Sequence, residues 1–451
     1  DQDHRMNEWM DAEARVELAH KLYEQGRWAE AAAELRAAID ANPYNAAWHF
    51  NLAVTFEAMD DFEHACDCYR AVLEIDRRDL EALTCLAINF NRLGKYDQAI
   101  ETLRRAERVD PNYEPAYCNR IVSYAETDDH ESAELMFYLA RQVKDVCPHC
   151  YYHMGNSLLK QKHYDRAIEC FRQALAADAD YGDANCRIAE ALWAQGDIDA
   201  AAIHYQAEIE RNADDVEVQL DLGEMLIEAD RLEEARDVLA KALLSHPDSA
   251  SAHYCMAELS MQRDRLDEAH RLLERALELD PDCPGVHMKL GQVLIKQGRA
   301  SAGVRELLQE LKRCGDDPDR LQELGQLLLE AQQALHANNV LRRLVEIRPT
   351  DAHAQHNLAV SYFLLDRIDE GLPHCRRALR INPEYPLALY NLALAHMQRG
   401  ESRRARRCIS RALTVAPDDP QIQALSKRLG VMRFWTRLRG LFSRRSGSEA
   451  Q

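Results

Sequence analysis

WHFNLAVTF, residues 48–56, returns along the chain as LTCLAINF at 83–90, AYCNRIVSY at 116–124, YYHMGNSLL at 151–159 and LYNLALAH at 389–396. The copies fall into register when the sequence is slid on itself by 34 residues, and twelve units fit from Ala12 to Asp419 without an insertion. One column reads Ala19, Ala53, Ala87, Ile121, Gly155, Ala189, Gly223, Ala257, Gly291, Gly325, Ala359 and Ala393. Twelve residues later a second column is Ala in ten units and Gly at Gly303 and Gly371. Small residues at both places let two helices approach closely. Between them a turn position is Gly or Asp in ten units, for example Gly26, Asp60, Gly94, Gly196 and Gly400, as a helix-ending position prefers. Pro43, Pro111, Pro247, Pro281, Pro349, Pro383 and Pro417 close the second helix, because a ring without an N–H cannot continue the ladder. Each unit therefore reads as a helical hairpin. Helices of about 13 residues are marginal alone in water, so the units must stack on one another to bury their apolar faces.

Composition agrees. The chain has 451 residues, 47% of them hydrophobic, with only 17 Gly, 14 Pro and 9 Phe. No stretch approaches the length of apolar sequence that spans a bilayer, and the acidic start DQDHRMNEWMDAE lacks the basic and apolar regions of a secretory signal. The first Met is at position 6, which leaves a preceding leader open. Thirteen scattered cysteines, an odd number, suggest reduced thiols and a cytoplasmic setting.

The period and its columns resemble the tetratricopeptide repeat family. Leu52, Ala53, Phe56, Ala65 and Tyr69 in the second unit carry the likeness, with Leu86, Ala87, Phe90, Ala99, Ala106 and Pro111 in the third. The resemblance implies an all-α fold, a right-handed superhelical solenoid of antiparallel helix pairs. The expected organisation is a lead-in at 1–11, twelve repeats over 12–419, a capping helix at 420–430 and a basic amphipathic tail at 431–451. Units four, nine and ten depart most, at Ile121, at Gly303 and at RCGDDPD (313–319), and local looseness or a bend is expected there.

The resemblance also implies that the first helix of each unit lines a concave groove. Asn51, Asn119, His153, Asn357 and Asn391 share the position before the Leu column, a line suited to hydrogen-bonding an extended peptide. Phe50, Tyr152, Tyr254, His356 and Tyr390 add flat apolar area, and Asn156 follows the small residue Gly155. Members that clamp a C-terminal carboxylate use a groove Lys, and this chain has Phe50, Thr84, Cys118, Tyr152 or Cys186 there. A net charge of −20 argues against nucleic acid. The functional expectation is a non-enzymatic, cofactor-free adaptor for a protein or peptide partner, in an oligomeric state the sequence leaves open. The alternatives are the recognition arm of a separate enzyme complex, as in the O-linked N-acetylglucosamine transferases, and a peripheral membrane assembly factor.

The membrane alternative rests on the tail. From Arg403 to Arg445 twelve Lys or Arg face only Asp418 and Asp419, a local net of +10. Phe434, Trp435, Leu438, Leu441 and Phe442 recur at helical spacing with Arg433, Arg437 and Arg439 on the flanks. Such a helix packs back on the last repeat, lies on an anionic membrane, or docks on an acidic partner.

Cys147-Pro148-His149-Cys150 has the spacing of a thiol redox pair or half a zinc site. In the 34-residue register, Cys147-Pro148 aligns with Cys283-Pro284, Asp317-Pro318 and Tyr385-Pro386, where Pro opens a first helix. Cys150 falls in a packing column with Trp48, Ala82, Ala116, Ala184, Ala252 and Ala354. No second cysteine pair has zinc spacing, so no metal is expected. What remains is a reactive thiol at Cys147, placed at a helix N-terminus, with Cys150 one turn along.

Overall fold

The computed structural model describes residues 2–144, 147–213 and 215–430, with side chains from residue 11 onward. Among the described residues every regular element is a helix, and they fall into two compact units, Asp1–Ala229 and Asp230–Gln451. The first holds α1 (Gln2–Glu24), α2 (Trp28–Ala41), α3 (Ala46–Ala58), α4 (Phe62–Ile75), α5 (Leu80–Arg92), α6 (Tyr96–Val109), α7 (Glu114–Glu126), α8 (His130–Val143), α9 (Pro148–Lys160), α10 (Tyr164–Ala177), α11 (Ala184–Gln195), α12 (Ile198–Arg211) and α13 (Val216–Glu228). The second holds α14 (Leu232–Ser245), α15 (Ala250–Gln262), α16 (Leu266–Leu279), α17 (Val286–Lys296), α18 (Ala300–Arg313), α19 (Pro318–Glu330), α20 (Ala334–Ile347), α21 (Ala352–Leu364), α22 (Ile368–Ile381), α23 (Pro386–Gln398), α24 (Ser402–Val415) and α25 (420–430). The residues expected as a lead-in are the opening turns of α1. The tail at 431–451, with Arg433, Phe434, Trp435, Arg437, Leu438, Arg439, Leu441 and Phe442, lies outside the described residues.

Within each unit, odd and even helices pack as antiparallel pairs, and odd helices also touch the next odd helix, as α5 does α7 and α7 does α9. The small-residue columns make the pairs. Ala53, Ala65, Ala87, Ala99, Ala257, Ala269, Ala393 and Ala405 are fully buried. Gly155 shows why some members are Gly, because a β-carbon there would stand 2.6 Å from the Phe171 ring of α10. Ile121, the one large member, is also fully buried.

The turn position of the repeat is left-handed at all twelve copies, with φ between 56° at Asp60 and 84° at Gly196. Gly and Asp tolerate this region, whereas Lys162 (φ 61°) and Gln332 (φ 59°) occupy it against the cost a β-carbon imposes. First helices open on side-chain caps, with Asn45, Asp79, Asp215, Ser249, Asp317 and Asp351 each accepting a bond from a first-turn N–H. Pro148, Pro318 and Pro386 open α9, α19 and α23 as expected. Pro284 does not, because Gly285 next to it turns left-handed (φ 77°) and α17 starts only at Val286. Gly303 and Gly291 bring α18 and α17 so close that a β-carbon on Gly303 would lie 2.6 Å from the Gly291 carbonyl oxygen.

Candidate functional site

A concavity on the first unit is built by three successive first helices. A pocket of about 630 Å³ is lined by Asn91 and Arg92 of α5, Glu114 and Asn119 of α7, and His149 and His153 of α9. Of the expected groove residues it brings together Asn119 and His153. Asn119 is half-buried and donates to the Pro115 carbonyl at 3.0 Å. Asn91 donates to the Asn119 carbonyl at 3.4 Å and accepts from Ser123 at 2.7 Å. Burial pulls His153 down to about 4, so it is neutral at physiological pH.

The other expected groove residues sit elsewhere. Asn51 is exposed and borders a smaller pocket of about 230 Å³ beside Tyr23 and Thr55. Phe50 turns inward, its ring edge-on to Tyr69 at 5.2 Å. Tyr152, half-buried with Asn156 beside it, bonds Asp183 through its hydroxyl. In the second unit Tyr254 donates to Glu258 of its own helix at 3.3 Å. Tyr390 packs half-buried against the core under α25, and Asn357 is half-buried beside His356. His356 is a correction. It is 4% exposed, held between the Tyr385 hydroxyl (3.3 Å) and the Asn391 amide (2.9 Å), so it joins α21 to α23 instead of facing a ligand. Burial pulls it down to about 4.

Cys147 and Cys150 are not alone. Cys147 caps α9, and its sulfur accepts from the Cys150 N–H at 3.4 Å. Glu114 and Cys118, one turn apart at the start of α7, face them, and the four ligand atoms all lie within 4.8 Å of one another. The Glu114 carboxylate accepts from the Cys147 thiol at 3.0 Å and from the Cys150 thiol at 2.8 Å. All three sulfurs are buried and free of disulfide bonds, whereas Glu114 is half-buried and, with Cys118, reaches the pocket. Cys147 is thus an enclosed thiol at the N-terminus of α9.

Charge in the cluster is shared unequally. Hydrogen bonds from Cys118 and Cys150 hold the Cys147 thiol well below the usual range, and those same bonds, with burial, push Cys118 and Cys150 above it. Burial raises Glu114. Elsewhere burial is the largest cause, pushing Cys66 up to about 11 and Cys186 and Cys375 up to about 12. Sequence spacing does not show the cluster, because its second pair, Glu114 and Cys118, is not a Cys-x-x-Cys. In a 34-residue stack the partners of 147 and 150 lie near 113 and 116, and Glu114 and Cys118 are there.

A stack of 34-residue helix pairs with small-residue contacts and a concave pocket defines a tetratricopeptide array, and the chain belongs to the tetratricopeptide repeat family. Tetratricopeptide repeat profiles match residues 16–79, 86–113, 152–216, 192–259, 260–327, 323–386 and 363–429. The chain is similar to tetratricopeptide repeat protein 8 of Caenorhabditis elegans, 22% identical over 173 residues, 38% of this chain and 34% of that protein. It is similar to RNA polymerase-associated protein CTR9 of the same organism, 26% identical over 226 residues, 47% of this chain and 19% of that protein. It thus spans about a third or less of the length of these curated relatives. Among solved structures, the APC/C hetero-tetramer Cut9-Hcn1 aligns with a TM-score of 0.44 at 15% identity, covering 91% of this chain and 95% of the other. Repeats of this family bind protein partners. No helix among the described residues is long and apolar enough to cross a membrane.

Proposed function

We propose that the scaffold holds an extended peptide segment of a partner protein in the groove of its first unit, over α5, α7 and α9. The observation that carries this reading is the pocket of about 630 Å³, where amide side chains of two successive first helices, Asn91 and Asn119, stand beside the flat faces of His149 and His153. An extended backbone offers a donor and an acceptor at every residue, and paired amides can answer both while the rings cover apolar side chains. Arg92 and Glu126 on the same walls favour a segment with charges of both signs.

A peptide-display selection on the full chain tests the reading. Selected peptides should lose at least tenfold in affinity for Asn119→Ala and for Asn91→Ala, with helix content unchanged. Equal binding to wild type and both variants would remove the groove from the interaction and leave the tail or the convex face to carry it.

A further inference from the structure

We propose that Glu114, Cys118, Cys147 and Cys150 are the four ligands of one Zn²⁺ ion that ties the start of α7 to the start of α9. Each helix supplies two ligands, Glu114 and Cys118 one turn apart on α7, and Cys147 and Cys150 at the cap and third position of α9. The site stands in the wall of the proposed peptide groove but does not depend on a peptide binding there.

Spacing selects a single ion. Tetrahedral zinc with Zn–S of about 2.3 Å and Zn–O of about 2.1 Å sets its sulfurs ~3.8 Å apart and sulfur from oxygen ~3.5 Å. The four donor atoms already lie within 4.8 Å of one another. Their present contacts of 3.0 and 2.8 Å to Glu114 are hydrogen bonds within the ligand set, which an ion replaces with a spread of about 0.7 Å. An iron–sulfur cube would hold its cysteines much farther apart. Three sulfurs and one oxygen also suit zinc over the hard, oxygen-seeking cations.

The repeat itself does not call for these residues. At the column of Cys147 other units place capping residues such as Asp79 and Asp351, at that of Cys150 they place Ala82, Ala116 and Ala354, and at that of Glu114 they place Leu80, Val216 and Ala352. Packing is satisfied by those types; Cys283 and Cys186 recur in the columns of Cys147 and Cys118, but only here, among the described residues, do four such residues meet at one point. Among the described residues no other group of Cys, His, Asp and Glu is so assembled. Binding releases the thiol protons to solvent and leaves a site charge of about −2. Two helix N-termini, those of α7 and α9, and Lys144 near Glu114 face that charge, and the Cys150 N–H already points at the Cys147 sulfur. The pocket beside Glu114 and Cys118 is the entry path.

The test uses the full chain, reduced and stripped of metal with a chelator, then titrated with Co²⁺ and afterwards Zn²⁺. One equivalent of Co²⁺ should give the visible bands of tetrahedral cobalt and a near-ultraviolet thiolate-to-cobalt band, and one equivalent of Zn²⁺ should abolish both. Cys118→Ser should weaken binding more than tenfold. Cys283→Ser, at the column of Cys147 in another repeat, should leave it unchanged. Glu114→Gln should keep the charge-transfer band and lower the affinity. Absence of stoichiometric uptake by the reduced wild-type chain would overturn the proposal, whatever the variants do. So would a tetrahedral spectrum that survives Cys118→Ser, or a chain that takes up metal only with Cys147 and Cys150 oxidised to a disulfide.

Discussion

Replacing Gly303 by Ala puts sequence pattern and tertiary structure in direct conflict. Ten of the twelve repeats carry Ala in this column, and removing a Gly from a helix interior gains about 1 kcal/mol in propensity, so the pattern predicts a stabilising change. The geometry predicts the reverse. The added carbon would meet the Gly291 carbonyl oxygen at 2.6 Å, Ile295 Cγ1 at 2.8 Å and the Ile295 amide nitrogen at 3.2 Å. A carbon and a carbonyl oxygen rest about 3.3 Å apart, so α17 and α18 must part by roughly 0.7 Å. Two of the three obstacles are backbone and cannot rotate away. Overpacking costs about 1–3 kcal/mol, and the upper part of that range applies here, for a net loss of about 1–2 kcal/mol. Peptide-resolved hydrogen exchange is the suitable assay, since repeat arrays open locally. Exchange in α17 and α18 should speed up about tenfold, and Gly430→Ala, with no atom within 4 Å of the added carbon, should show no such effect. Unchanged or slower exchange in α17 and α18 of the Gly303→Ala protein would refute the steric argument.

Other outcomes follow from the same structure. Lys162→Gly and Gln332→Gly relieve left-handed turns that carry a β-carbon, and each should raise the thermal midpoint, by roughly 0.5–1 kcal/mol of stability after the entropy of the added Gly is offset. His356 has its folded pKa pulled below the unfolded value, so the unfolded chain binds the proton more readily. The second unit should therefore lose stability as pH falls from about 6.5 to about 4, by up to about 3 kcal/mol, with no further loss from this group below that window. Urea midpoints of wild type and His356→Gln across that range should converge as the pH drops. Arg120 is 4% exposed and bonds Glu107 at 2.7 Å, so Glu107→Ala strands a buried charge and should cost about 2 kcal/mol, much of it recovered when Arg120→Met is added.

Most of the fold was legible because a 34-residue period repeats its own proof. The twelve left-handed turns could be placed from Gly26, Asp60 and their equivalents, and even Lys162 and Gln332 adopt the shared geometry against their own preference. Side-chain direction was less legible. Asn119 and His153 reach the pocket, while His356, in a neighbouring column of the same face, is covered by Tyr385 from the next pair. The period gives each column one average environment, and a single aromatic in the adjacent repeat is enough to change it.

By itself the sequence determined the all-helical class, the length and turn of each helix pair, and the small-residue columns along which helices meet, since these depend on local propensity and on a pattern every copy repeats. Tertiary structure decided which columns of successive repeats face each other across the gap between α7 and α9. That brought Glu114 and Cys118 within 4.8 Å of Cys147 and Cys150, although about thirty residues of chain separate the two pairs. The 34-residue register brings these segments near one another, but which of their side chains turn into the gap depends on the packing of α7 against α9.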